Sequence, residues 1–485
     1  MAGDTTIEAG PAPGAAPAPA ALPAGVTRPI PGALLSLALP VLASQILRLG
    51  YQWVDALWVR GLGVHATAAV TTSIFVMWWV YSLNDVFAIG VTAYTSQLLG
   101  AGERRRAGVA AYKGLRASAL LGLTGTVLGV FLAPRIFGLM SPDPRSVESG
   151  AAYLAVVLGG APLYLMGLTS ESIMRASGDT RTPLVIDLCA VTLNAVLDPF
   201  LIYGWGPFPR MGVAGAAWAT VIAQAAMITG YLTVAARGHR AFPLARHAEG
   251  PPVRIAGMAR VGIPAALIGM LFSVVYVAFA RSASRFGAAS MAIVGIANRV
   301  EALQFMNSVA IGTAGAALVG QNLGAGRPDR AARVIRTGLT WNLWIAGALS
   351  AVLIAWPQLF LSLFSRDPEV LRLGVPYVRI LTLCLIVNGM EIVTAESIMG
   401  SGHTRALSWI FGTFSLLRIP LGFKVPDWTG LGVLGIAWVI TVTCVVRGLI
   451  IVGWAARGTW KRGLYGELHG AEPPRPEPPG ASGRA

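Results

Sequence analysis

Stretches of this chain recur 224 residues apart. Gln97-Leu-Leu-Gly-Ala-Gly-Glu-Arg-Arg-Arg-Ala107 returns as Gln321-Asn-Leu-Gly-Ala-Gly-Arg-Pro-Asp-Arg-Ala331. Ser141-Pro-Asp-Pro144 returns as Ser365-Arg-Asp-Pro368, and Ser177-Gly-Asp-Thr-Arg181 as Ser401-Gly-His-Thr-Arg405. Glu-Ser-Ile-Met occupies 171–174 and again 396–399. Pro40, Tyr153 and Gly212-Val-Ala-Gly-Ala-Ala-Trp218 echo as Pro264, Tyr377 and Gly432-Val-Leu-Gly-Ile-Ala-Trp438. Matches in one order over most of the chain mean two homologous halves, and in an apolar chain such halves point first to a transporter.

The chain is 55% apolar and only 12% charged, against about one quarter charged in an average soluble protein. Windows of roughly 20 apolar residues read as membrane-spanning helices. They fall at about 33–58, 68–98, 114–133, 150–174, 183–205 and 211–236, then at 257–283, 288–322, 334–361, 371–399, 404–426 and 431–456. The expected fold is therefore all-α and membrane-embedded, with twelve transmembrane helices in two pseudo-symmetric six-helix bundles. Six helices is an even number, so both halves insert the same way up and the pseudo-twofold axis runs along the membrane normal. The expected boundaries are a disordered tail at 1–30, a first lobe at 31–236, a linker at 237–256, a second lobe at 257–456 and a tail at 457–485.

A net charge of +15 raises nucleic acid as a partner, but its distribution argues against one. Most of the 37 Lys and Arg fall in the tails and in or beside the loops after the even-numbered spans. That is the positive-inside signature of a multi-pass membrane protein with both termini cytoplasmic. Residues 1–30 are rich in Ala, Pro and Gly and lack the basic-then-apolar layout of a signal peptide. The three cysteines all lie in spans and read as packing residues. No Gly-x-x-x-x-Gly-Lys loop is present for ATP, and the five histidines lack metal-ligand spacing. Uphill transport would draw on an ion gradient; no cofactor, enzymatic motif or metal site beyond Na⁺ is expected.

A charge at bilayer depth costs about 3 kcal/mol or more, so each intramembrane acid is a functional candidate. Asn194 and Asp198 are four apart on the fifth span, and Asp187 falls seven and eleven residues earlier. These intervals return to one helix face. Arg48, Tyr51, Gln52 and Asp55 form a second polar stripe on the first span. Carboxylates beside an amide and a phenol can bind H⁺ or Na⁺ reversibly, because burial disfavours the bare charge and oxygen suits a hard cation. The alternative is a wet seam of mutually bonded polar groups. Asp85, and Glu301 with Gln304 and Ser308, are cavity candidates; Glu171 and Glu396 are expected to bridge Arg181 and Arg405. The halves differ at the acids: Asp55 falls opposite Phe279, Asn194 opposite Arg418 and Asp198 opposite Gly422. An ion site should therefore lie in the first lobe, while Arg299, Arg379, Arg418 and Arg447 mark the second.

Leu39-Pro40 with Asp55 fifteen residues on, the twin Gln-x-Leu-Gly-Ala-Gly loops, and Asn194-x-x-x-Asp198 before Gly212-Val-Ala-Gly-Ala-Ala-Trp-Ala-Thr220 resemble the multidrug and toxic compound extrusion (MATE) family over residues 30–456. Arg299 and Glu301, with Arg418-Ile-Pro420, bring the chain nearest its bacterial DNA-damage-inducible (DinF-like) branch, and no acid lies in 261–283 on the seventh span. The resemblance implies two bundles around a cavity that opens alternately to each side. It implies cation binding at Asp55, Asn194 and Asp198 with Tyr51 and Thr220 as neighbours, and Pro40 as a bend point. The expected function is efflux of a small molecule, an amphipathic cationic drug or metabolite, in exchange for H⁺ or Na⁺, by a monomer. A lipid-linked-saccharide flippase is the alternative, with a basic cavity built from Arg48, Arg299 and Arg418. A non-transporting scaffold or receptor is a further one.

Overall fold

A computed structural model of the protein describes residues 22–140, 144–238 and 244–469, with some side chains inside helices, including those of Tyr51, Gln52 and Trp53, outside the description. The first half contains α1 (Ala24–Thr27), α2 (Ile30–Arg60), α3 (Val64–Gly100), α4 (Arg104–Met140), α5 (Pro144–Gly159), α6 (Ala161–Ala176), α7 (Arg181–Tyr203) and α8 (Val213–Ala236). The second contains α9 (Ile255–Ser284), α10 (Ala288–Gly324), α11 (Pro328–Ala355), α12 (Pro357–Ser362), α13 (Pro368–Met399), α14 (Arg405–Thr429) and α15 (Val433–Ala456), with a 3₁₀ turn at Thr459–Arg462 and α16 at Tyr465–His469. Displaced by 224 residues, α3 falls on α10 end for end, and α4, α7 and α11, α14 start in register. Among the described residues nine helices are long and apolar enough to cross a membrane, and two bent pairs bring the number to eleven. Val64–Gly100 stands where the remaining span is expected. The exterior is apolar, with Phe131, Trp344 and Trp409 all more than 70% exposed. Long helices that turn such apolar side chains outward are those of a multi-pass membrane protein.

Two of the expected spans are broken beside a proline. The stretch 150–174 is α5 and α6, meeting at 51° across Gly159-Gly160. Pro162 follows, and its ring and missing N–H forbid a continuous helix there. The second half has Leu383-Cys384-Leu385-Ile386 at the matching places, and α13 runs unbroken. Span 334–361 ends early at Ala355, because Pro357 starts the short α12. By contrast α2 continues through Pro40, and α9 through Pro264.

The halves are linked by a reciprocal exchange. Ala33, Leu34, Leu37 and Ala38 of α2 pack into the core of the second lobe beside Ile311, Leu318 and Ile398. Met258 and Val261 of α9 enter the core of the first lobe with Val91, Tyr94 and Leu98. At the opposite end the cores separate: Val275, Phe279 and Tyr377 belong to one, Val59, Tyr153 and Ile202 to the other. The lobes therefore close at the end bearing the described termini. Glycines permit the closure, since a Cβ on Gly90 would overlap the Met258 carbonyl and one on Gly262 that of Val86. The tail boundaries need correction. Residues 24–28 form a helical turn, and 459–469 hold Trp460, Leu464 and Leu468 buried, because each presents apolar side chains to a lobe. Residues 1–21 and 470–485 lie outside the described residues.

Candidate functional site

The i, i+4 spacing on α7 sets Asn194 and Asp198 on one buried face, each fully inaccessible to solvent. Helix α2 packs against α7 and brings in Asp55, which is 8% exposed and within electrostatic reach of Asp198. Helix α8 closes the third side, where Asn194 Nδ2 donates to Thr220 Oγ1 at 3.5 Å and Thr220 donates to the Ala216 carbonyl. What distinguishes this pocket is its surplus of acceptors. Asp55 Oδ1, Asn194 Oδ1 and both carboxylate oxygens of Asp198 are buried without a hydrogen-bond partner among the described residues. Buried acceptors without donors are costly, and a proton or a small cation is what such a cluster of oxygens would take. The Tyr51 side chain lies outside the described residues.

The second lobe answers with a filled space. Opposite Asp55 and Asp198 stand Phe279 and Gly422, and they touch: a Cβ on Gly422 would lie 2.6 Å from the Phe279 ring. Ser282 caps the Gly422 carbonyl at 2.6 Å. The same scaffold thus holds an oxygen-rich pocket in one lobe and an apolar plug in the other.

The profile of the MatE family matches residues 40–200 and again 264–423. The chain belongs to the MatE family. Over 427 residues it is 27% identical to the FAD transporter of Shewanella oneidensis, covering 87% of this chain and 94% of that one. It is 27% identical to the probable multidrug resistance protein NorM of Thermotoga maritima, covering 88% and 93%. Its fold superposes on a crystal structure of MATE in the bent conformation with a TM-score of 0.84, at 21% identity and covering 91% and 99%.

In this MatE protein each of the three basic candidates has a partner inside its own lobe. Arg48 does not reach for Asp55 or Asp198. Its Nη2 lies 2.5 Å from Glu171 and 3.3 Å from Asp187, and Arg175 pairs with Glu171 one turn along α6. Two arginines thereby balance two carboxylates, and Asp187 belongs to this ion-pair cluster rather than to the group of unpartnered oxygens. This corrects the expected Glu171–Arg181 bridge; Arg175 is four residues from Glu171 on the same helix, while Arg181 begins the next one. Arg418 is 5% exposed and buried inside the second lobe, donating to Thr443 Oγ1 at 2.7 Å and to Cys444 Sγ at 2.8 Å. Arg299 lies over the Phe364 ring. The basic cavity of the flippase alternative is therefore not assembled by these three.

Glu301 accepts from Tyr276 at 2.7 Å, and Gln304 and Ser308 close a buried network on Asn342. Glu391 and Arg447 form an ion pair by distance, 2.6 Å, without an aligned hydrogen bond. Asp85 is half-buried on α3, within electrostatic reach of Glu396 across the lobe seam. Sequence reasoning missed the Asn342 network, whose signal was a lone Asn in an apolar span.

Proposed function

We propose that this MatE protein is a secondary active efflux transporter, exchanging cytoplasmic amphipathic cations for external H⁺ or Na⁺ by alternating access. It works as a monomer in a bacterial inner membrane, with both termini in the cytoplasm. The observation that carries the reading is the cluster of buried oxygens on Asp55, Asn194 and Asp198 that have no partner among the described residues, while Arg48 of the same helix as Asp55 is occupied by Glu171 and Asp187. An entering cation neutralises the pair of acids, with Thr220 as a further oxygen and Tyr51 as a neighbour. It can shift the lobes only by its difference in affinity between the two states. Pro40, in the helix that carries Asp55, leaves one backbone carbonyl without its helical donor and is the place where α2 would bend. Asp85 and Glu396 on facing lobes supply negative charge to a cationic substrate. The names of the relatives cover both FAD and drugs, so the substrate rests on this charge argument.

Uptake or counterflow of a cationic dye by reconstituted vesicles, under separately imposed H⁺ and Na⁺ gradients, tests the reading and selects the ion. Full gradient-driven transport by Asp198→Asn would sink it.

A further inference from the structure

The two Gln-x-x-Gly sequences of the repeat meet at the closed end of the lobes. Gln97 at the end of α3 is 2% exposed, and its Nε2 donates at 2.9 Å to the Gly400 carbonyl of the opposite lobe. Gln321 at the end of α10 is fully buried, and its Nε2 donates at 2.9 Å to the Ala176 carbonyl of the first lobe. Gln321 is displaced from Gln97, and Gly400 from Ala176, by the same 224 residues, so one bond is the symmetry image of the other. The glycines make room. A Cβ on Gly100 would overlap the Gln321 carbonyl, and one on Gly324 that of Gln97.

Each end of the chain crosses to the far lobe and covers one of these glutamines. The segment before α2 lies on the second lobe: Asn322 Nδ2 donates to the Gly25 carbonyl at 3.2 Å and Arg327 to that of Val26 at 3.1 Å. The segment after α15 starts on its own lobe, with Trp460 in that core and Lys461 3.1 Å from Asp329. It then passes to the first lobe, where Leu464 and Leu468 enter the core with Tyr94 and Leu98. There the Leu464 amide donates to Gln97 Oε1 at 2.8 Å, Arg106 donates to the Leu468 carbonyl at 2.6 Å, and His469 meets Glu103 at 2.7 Å.

We propose that Gln97 and Gln321 are the paired cytoplasmic gate of the transport cycle, and that residues 24–28 and 459–469 are reciprocal straps that keep it shut. The proposal rests on the alternating-access reading above. Opening inward then means exchanging the two glutamine hydrogen bonds for water and lifting Leu464 and Leu468 out of the first lobe. The straps make the ends of the chain the place where the inward step is regulated.

The test is alkylation of a cysteine behind the gate in the full chain, read peptide by peptide by mass spectrometry. Ser96→Cys is suitable, since Ser96 is fully buried and lies against Gly320 of the other lobe. Ser118→Cys, 2% exposed and bonded to Thr169 inside the first lobe, is the control. N-ethylmaleimide should label Ser96→Cys faster by roughly fivefold for each of Gln97→Ala and Gln321→Ala, the yield of one lost hydrogen bond, and by more for both together. Leu464→Asp with Leu468→Asp should accelerate it too, leaving both glutamines in place. An unchanged rate in the double glutamine variant overturns the proposal, as does equal acceleration at Ser118→Cys. Labelling needs neither gradient nor substrate, so the gate can fail while coupled transport stands, and the reverse.

Discussion

Asp198 keeps both carboxylate oxygens buried and without a donor among the described residues, one turn from Asn194 and within electrostatic reach of Asp55. Asp198→Asn retains the shape and removes the charge, so gradient-driven efflux should fall by about tenfold or more, the worth of a lost interaction with a charged group. Substrate binding, measured by dye quenching, should persist. Arg48 carries the opposite prediction. Arg48→Met leaves Glu171 and Asp187 with Arg175 alone, and because a third of Arg48 is exposed the cost should be about 2 kcal/mol rather than the full price of a broken buried pair. A thermal-shift measurement in detergent should show the loss, and Asp187→Asn added to Arg48→Met should recover part of it. The site residues were legible in the sequence for a particular reason: Asn194 and Asp198 share a helix, and the repeat exposes them by placing Arg418 and Gly422 opposite. The partner of Arg48 was not, since Glu171 is 123 residues away and spacing along one helix says nothing about which helices touch.

Helix pairs around the pocket meet through glycine. A Cβ on Gly215 in α8 would overlap the Leu201 carbonyl of α7, three residues beyond Asp198; in the second lobe, one on Gly435 would come within 2.7 Å of Pro426. Gly215→Ala should force α7 away from α8 at a cost of about 2 kcal/mol, as for other overpacked contacts. Transport should fall with it, while Gly125→Ala, where a Cβ meets open space, should change neither the melting temperature nor the rate. The order of the apolar helices and their division into two halves were readable at this scale from apolar runs and the repeat. Nine to eleven of the twelve expected spans are long and apolar enough to cross a membrane among the described residues. The bend between α5 and α6 could have been read from Gly159-Gly160-Ala-Pro162, where three helix-weakening residues fall within four. It escaped because a hydropathy window averages over the backbone defect that makes it.

For the whole molecule, the loop between α13 and α14 ties stability to pH. Burial of His403, and secondarily the nearby Arg462 of the C-terminal strap, hold its pKa below the ordinary value of 6.5. The native state then binds fewer protons than the unfolded chain as pH falls through that value, so stability drops on acidification. The melting temperature should be lower at about pH 5.5 than at about pH 7.5, on either side of that value, and His403→Gln should reduce the difference. The closed end of the lobes was foreshadowed by the twin glutamine loops, but that they grip each other's lobes was not. Repetition in sequence shows that two units exist and leaves open how they are exchanged.

That exchange has a consequence for how the molecule is made. The first turns of α2 find their apolar partners on α10 and α11, so the half synthesised first waits in the bilayer with part of its opening helix unmatched until the ribosome has passed residue 335. A first half produced alone would carry a sticky helix end and a vacant groove that fit each other in a second copy. A gene for one half would therefore yield an interlocked pair of identical chains. The protein reads as that ancestral dimer, joined into a single polypeptide by residues 237–254.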